Sequence, residues 1–147
     1  MEVRLQTAPF DPGDLLSVFC AERRETGAVV SFTGLARADG GTTTTLWLEA
    51  YPGFTDLEIE RLGRGTIARF SLQDLLVVHR IGAIEPGAPI VFVAAAAAQR
   101  RSAFEAVDQL MDYLKSRAPF WKKQSGPDGE CWIEPTARDV ADAARWD

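Results

Sequence analysis

The sequence predicts an α+β fold. Helix-spaced apolar segments and runs of β-branched and aromatic residues are interspersed along 147 residues. Successive strand-like runs are not regularly separated by a full helix, as a doubly wound sheet would require. The chain is 46% hydrophobic with ordinary glycine and proline counts, which suits one globular domain, 1–147, whose core needs no disulfide or metal staple.

Glu2 to Thr7 reads as a short strand. Asp11 and Pro12 then supply an N-cap and a proline at the first helical position, where its missing N–H loses nothing. The helix is expected to reach about Arg24 and to bury Leu15, Leu16, Phe19 and Cys20. Gly27 lets the chain turn into the β-rich run Ala28 to Thr33. From Arg37 to Thr45 there is no apolar period, and Gly40 and Gly41 are adjacent, so a mobile loop is expected before a strand at Leu46 to Tyr51.

After Pro52 and Gly53, Thr55 and Glu58 form a capping-box pattern, so a helix is expected to about Phe70 with Ile59, Leu62, Ile67 and Phe70 inward. Leu75 to Ile81 and Ile90 to about Ala97 read as strands joined by a turn at Glu85-Pro86-Gly87. The alanine run Ala94 to Ala98 favours helix by propensity but continues Val91-Phe92-Val93, and small side chains suit a strand closely covered by a helix. Ser102 and Glu105 repeat the capping pattern. A helix is therefore expected from Ala103 to Arg117 on the stripe Phe104, Val107, Met111 and Leu114, ended by Pro119. Phe120 to Gln124 and Glu130 to Glu134 read as strands around Ser125-Gly-Pro-Asp-Gly, and Thr136 with Asp139 caps a last short helix.

The net charge of −5 argues against general affinity for nucleic acid. The longest uncharged apolar run, Ala88 to Ala98, is too short to span a bilayer, and the N-terminus carries no basic region before an apolar stretch, so a cytoplasmic protein is expected. Cys20 and Cys131 lack metal-ligand spacing and read as buried, reduced residues. Nucleotide loops, nucleophile elbows and metal clusters are absent from the sequence, and no resident cofactor or metal is implied. His79, the one histidine, reads as a structural hydrogen-bonding residue in a strand.

Lysine usage is the most informative feature. Of 16 basic residues 13 are arginine, and Lys115, Lys122 and Lys123 all fall within nine positions. Where arginine serves elsewhere, an amine points to proton transfer, nucleophilic work or close anion contact; cations completing a helix C-terminus are the plain alternative. Composition leaves both readings open. Lys115 borders the expected buried stripe, so partial desolvation is expected there, while strand alternation should turn Lys122 and Lys123 to opposite faces. Gln99, Arg100 and Arg101 precede the expected helix start, where guanidinium groups and free N–H groups form either an anion site or a solvated surface. Arg37, before the glycine pair, fits either description.

The segments VVSFTGLAR, LEAYPGFT, VVHRIGAIEPG, RRSAFEAVDQLMDYLKSRAPFWKK and CWIE resemble, in order, the large subunit family of molybdopterin synthase. The block from Ser102 to Lys123 is the most specific part. That resemblance implies an α/β hammerhead-like domain with an additional antiparallel β subdomain. It also implies a homodimer core of a heterotetramer, flanked by small ubiquitin-like sulfur carriers with C-terminal Gly-Gly thiocarboxylates. The implied reaction moves that sulfur to cyclic pyranopterin monophosphate to form the dithiolene of molybdopterin.

Matched position by position, Lys115 and Lys122 are implied as catalytic, and Arg37, Gln99, Arg100 and Lys123 as contacts for the anionic pterin. Gln99 stands where many members of the family have histidine, and it cannot exchange a proton near neutral pH. Leu35 and Ala36 replace a more usual pair containing lysine. The rival reading is a non-catalytic binding or assembly module holding an acidic peptide tail or a nucleotide in the same basic groove.

Overall fold

The computed structural model describes residues 1–42 and 45–147. Its elements in chain order are β1 (Glu2–Gln6), α1 (Pro12–Cys20), β2 (Ala28–Leu35), β3 (Thr45–Glu49), α2 (Thr55–Phe70), β4 (Asp74–Arg80), β5 (Gly82–Ile84), β6 (Pro89–Ala97), α3 (Arg100–Ser116), β7 (Trp121–Gly126), β8 (Gly129–Ile133) and α4 (Ala137–Ala144). They form two four-stranded sheets, ordered β1-β4-β6-β2 and β5-β3-β7-β8. In the first, β1 runs parallel to β4 and the other pairs are antiparallel; the second is antiparallel throughout. The α+β expectation and the separate antiparallel sheet are both met.

Helices α2 and α3 cover one face of the first sheet, packing Ile59, Leu62, Ala103, Ala106, Val107, Leu110 and Leu114 on Leu75, Val77, Val91, Val93, Ala95 and Ala97. Phe19 of α1 packs on the other face against Leu76, Val78, Phe92, Ala94 and Ala96. The alanines of β6 are 0–1% exposed and serve the two faces alternately. Their small side chains let helices approach both faces, and this packing overrides their helical propensity. A third cluster, Ala36, Leu46, Leu48 and Ile84, lines the second sheet, with Phe120 packed against both it and the α2/α3 core.

Several local expectations are corrected. α1 stops at Cys20, four residues early, because Arg23 folds back to donate to the Phe19 carbonyl while Glu22 adopts a left-handed φ of 59°. Cys20 is consequently exposed, as is Cys131 on β8, so neither is a core residue. Thr55 does not cap α2; it is the first helical residue and its hydroxyl serves another segment. α3 begins at Arg100 rather than Ala103, and its inward stripe includes Ala103, Ala106 and Leu110, which turns Phe104 outward to 58% exposure. Small residues win that face because β6 beneath it is close. The three-residue β5 was not anticipated, and the expected loop from Arg37 to Thr45 falls partly on Thr43 and Thr44, outside the described residues. Thr136 and Asp139 form the anticipated capping box on α4.

Candidate active site

Pro119 ends α3 and sends the chain into β7, so Lys115 lies on the last helical turn and Lys122 on the strand that follows. In register, Lys122 stands opposite Leu48 and Ile133, and Lys123 opposite Trp47 and Trp132. Paired residues share a sheet face, so Lys122 lies on the face of the third core cluster and Lys123 on the other. There Lys123 Nζ pairs with Glu130 Oε2 at 3.3 Å and sits 5.5 Å over the Trp132 ring. The two lysines are thus separated as strand alternation predicts.

Lys122 is half-buried, and its pKa is lowered first by burial and next by the ammonium of Lys115. Asp139 opposes the shift, Arg37 adds to it, and Asp39 opposes it. These causes place Lys115, Lys122 and Arg37 in one electrostatic neighbourhood with Asp39 and Asp139. The Lys115 side chain is exposed, so the desolvation expected for it falls on Lys122 instead. The stripe used to place Lys115 began at Phe104, which faces solvent; Lys115 follows the buried Leu114 and is rotated from it by about 100°. Arg37 itself is exposed and lies 3.5 Å from Asp39.

His79 ends the inward row Leu75, Val77, His79 on β4 and is 8% exposed. Its Nδ1 lies 2.8 Å from the Arg80 carbonyl oxygen, which only accepts, so that nitrogen carries the proton. The ring stacks on Phe120 with centroids 4.2 Å apart and planes 23° apart. Burial drives its pKa to about 4, aided by the charges of Lys122 and Lys115 and opposed by the Arg80 carbonyl. The structural hydrogen bond read from the sequence is present; the ring's place beside both lysines was not legible. Asp139, at the third position of α4, was noticed only as a cap. Its carboxyl is held below the usual range first by the Thr136 backbone N–H, with smaller contributions from Lys115 and Lys122.

Gln99 is the N-cap of α3, and Arg100 and Arg101 occupy its first turn, all exposed. Fifteen residues at 1.5 Å rise separate Arg100 from Lys115, about 22 Å along the helix. The helix start keeps its free N–H groups beside guanidinium groups, yet within one chain it does not share a pocket with the lysines. Within one chain the block from Gln99 to Gln124 therefore holds two groups of cations at opposite ends of α3.

An open groove of about 590 Å³ is lined by Tyr51, Phe120, Trp121, Ile133, Glu134 and Val140, among others, of which Phe120 and Trp121 immediately precede Lys122 and Ile133 is its register partner. It is mainly apolar and reaches Phe120. A second concavity, about 360 Å³, lies between α1, β1 and β4.

The sequence matches the model of the MoaE protein family over residues 5–117. It is 64% identical to the molybdopterin synthase catalytic subunit of Caulobacter vibrioides over 147 residues, all of this chain and 98% of that one. In structure it is similar to a molybdopterin biosynthesis MoaE protein from Burkholderia ambifaria, with a TM-score of 0.83 and 38% identity over 98% of this chain and 96% of that one. Molybdopterin synthase from Staphylococcus aureus aligns with a TM-score of 0.79 and 26% identity, covering 88% of this chain and 95% of that chain.

Proposed function

The chain belongs to the MoaE protein family, and on that premise we propose that it moves sulfur from the C-terminal thiocarboxylate of a small ubiquitin-like carrier to cyclic pyranopterin monophosphate. Family membership makes it an enzyme of molybdenum cofactor biosynthesis with molybdopterin synthase activity. The observation that carries the finer reading is the pairing of Lys115 with the partly desolvated Lys122 beside an apolar groove. A Gly-Gly tail has the small cross-section such a groove admits. In each transfer a pterin carbon–sulfur bond forms as a pterin carbon–oxygen bond breaks, the displaced oxygen leaving as water or with the opened cyclic phosphate. Water cleaves the carrier's acyl carbon–sulfur bond, its oxygen completing the carrier's carboxylate. Negative charge on the acyl oxygen is met by the ammonium of Lys115, while Lys122, its pKa lowered by burial and by the Lys115 charge, gives up a proton more readily than an ordinary lysine.

Arg37 and Arg100 would hold the anionic pterin, with Gln99 as a hydrogen-bonding neighbour and Lys123 at the edge. Because α3 separates Arg100 from Lys115 by about 22 Å, we assign the Gln99 and Arg100 contacts to a second copy of the chain, in a homodimer flanked by two carriers. Phe120, shared by two core clusters, supports one cooperative domain over residues 1–147. No described helix is long and apolar enough to cross a membrane, consistent with a cytoplasmic location.

The test mixes the protein with thiocarboxylated carrier and cyclic pyranopterin monophosphate and follows molybdopterin. Lys115→Ala should stay folded, bind the carrier and form little dithiolene; near-normal turnover would remove Lys115 from the mechanism. Carrier binding without product from the unaltered protein would return the chain to the non-catalytic reading.

A further inference from the structure

Sulfur transfer through the two lysines leaves one buried titratable group beside them without a task. His79 is the polar end of an otherwise apolar row, placed where the first sheet meets the connection between α3 and β7. We propose that His79 is a positioning residue for Lys122: its uncharged imidazole sets the start of β7 through Phe120 and closes the inner side of the lysine pair without supplying a counter-charge. The role given to Lys122 rests on the sulfur-transfer reading; the geometry does not.

The tautomer is fixed first. With Nδ1–H committed to the Arg80 carbonyl at 2.8 Å, Nε2 is left as the unprotonated acceptor. The stack comes next, because Phe120 lies two residues before Lys122 and on the same side of the chain, so a shift of the ring is carried to the amine. Charge is the third consideration. The groups acting on the imidazole are Lys122 from β7 and Lys115 from α3, both cations, and among the described residues no carboxylate joins them. Arg80, the next residue on β4, has its guanidinium on the Thr7 and Ala83 carbonyls at 3.1 and 3.2 Å. A carboxylate at position 79 would hold Lys122 as an ion pair and keep its proton on. A neutral ring leaves burial and the Lys115 charge as the largest influences on the amine's proton affinity, followed by Asp139, Arg37 and Asp39.

Three lysines in the chain make a side-chain NMR titration of Lys122 simple to read. In His79→Glu the Lys122 midpoint should rise by about one pH unit or more. In the reconstituted complex the same variant should lower kcat while KM for the carrier stays within about twofold. His79→Gln, neutral and polar, should keep the midpoint near that of the unaltered protein. Coincident Lys122 midpoints in the Glu and Gln variants would overturn the proposal. If His79→Glu does not fold, His79→Phe is compared with His79→Gln: the more apolar ring should give the lower midpoint, and equal midpoints overturn the proposal as well. The titration uses no substrate, so its failure is distinguishable from failure of the sulfur-transfer reading.

Discussion

The hydroxyl of Thr55 donates to the carbonyl of Pro119 at 2.9 Å, across 64 residues of sequence, and accepts from the Tyr51 N–H at 2.9 Å. Thr55 is wholly buried, and Pro119 lies between the two lysines of the site. One hydroxyl thus ties the start of α2 to the turn that sets the spacing of Lys115 and Lys122. Thr55→Val keeps the shape and leaves both backbone groups unpaired, which should lower stability by about 1–3 kcal/mol. Thr55→Ser should retain most of it. Urea unfolding of the two variants is the check; equal midpoints would remove the bridge from the account.

Lys122→Arg preserves the positive charge and removes an amine able to release its proton. If Lys122 moves a proton, product formation in the reconstituted assay should fall on the order of 100-fold. Carrier binding should be retained. Activity within twofold of the unaltered protein would mean that charge alone is needed at this position.

Placing Arg100 and Lys115 in one site built from two copies predicts complementation between variants. Arg100→Ala and Lys115→Ala should each be inactive alone. Random pairing makes half of the mixed dimers heterodimers with one intact site, so co-expression should recover roughly a quarter of full activity. No recovery on mixing would place the two residues in the same chain's site or in none.

His79 predicts an acid-side loss of stability. Its pKa is about 4 in the folded chain, against 6.5 as the ordinary value. Between those values the unfolded chain binds the proton and the folded one does not, so stability is complete above about pH 6.5 and declines as pH falls toward 4. The full effect is about 3 kcal/mol. Thermal melts from pH 7 to 4 should show the decline, and His79→Gln should flatten it. An unchanged slope in that variant would assign the decline to carboxylates.

Alternation and punctuation made most elements readable. Asp11-Pro12, Glu85-Pro86-Gly87, Pro119 and the Thr136/Asp139 box act over a few residues, and the chain obeys them whatever packs nearby. The separation of Lys122 from Lys123 was legible for the same reason, since it follows from the two-residue period of a strand. The concentration of lysine near the α3–β7 connection was visible in composition alone.

Tertiary packing decided the rest. Whether Thr55 caps a helix or bridges to Pro119 depends on a partner 64 residues away, and whether Phe104 or Ala103 faces inward depends on how closely β6 lies beneath α3. Burial of Lys122 rather than Lys115 arises because the second sheet covers one and the end of α3 leaves the other in solvent. His79 reaches the lysines only when the first sheet meets β7 through Phe120. Local spacing sets the direction in which a side chain leaves its own element; the charge and solvent it then meets belong to neighbours that only the folded chain brings together.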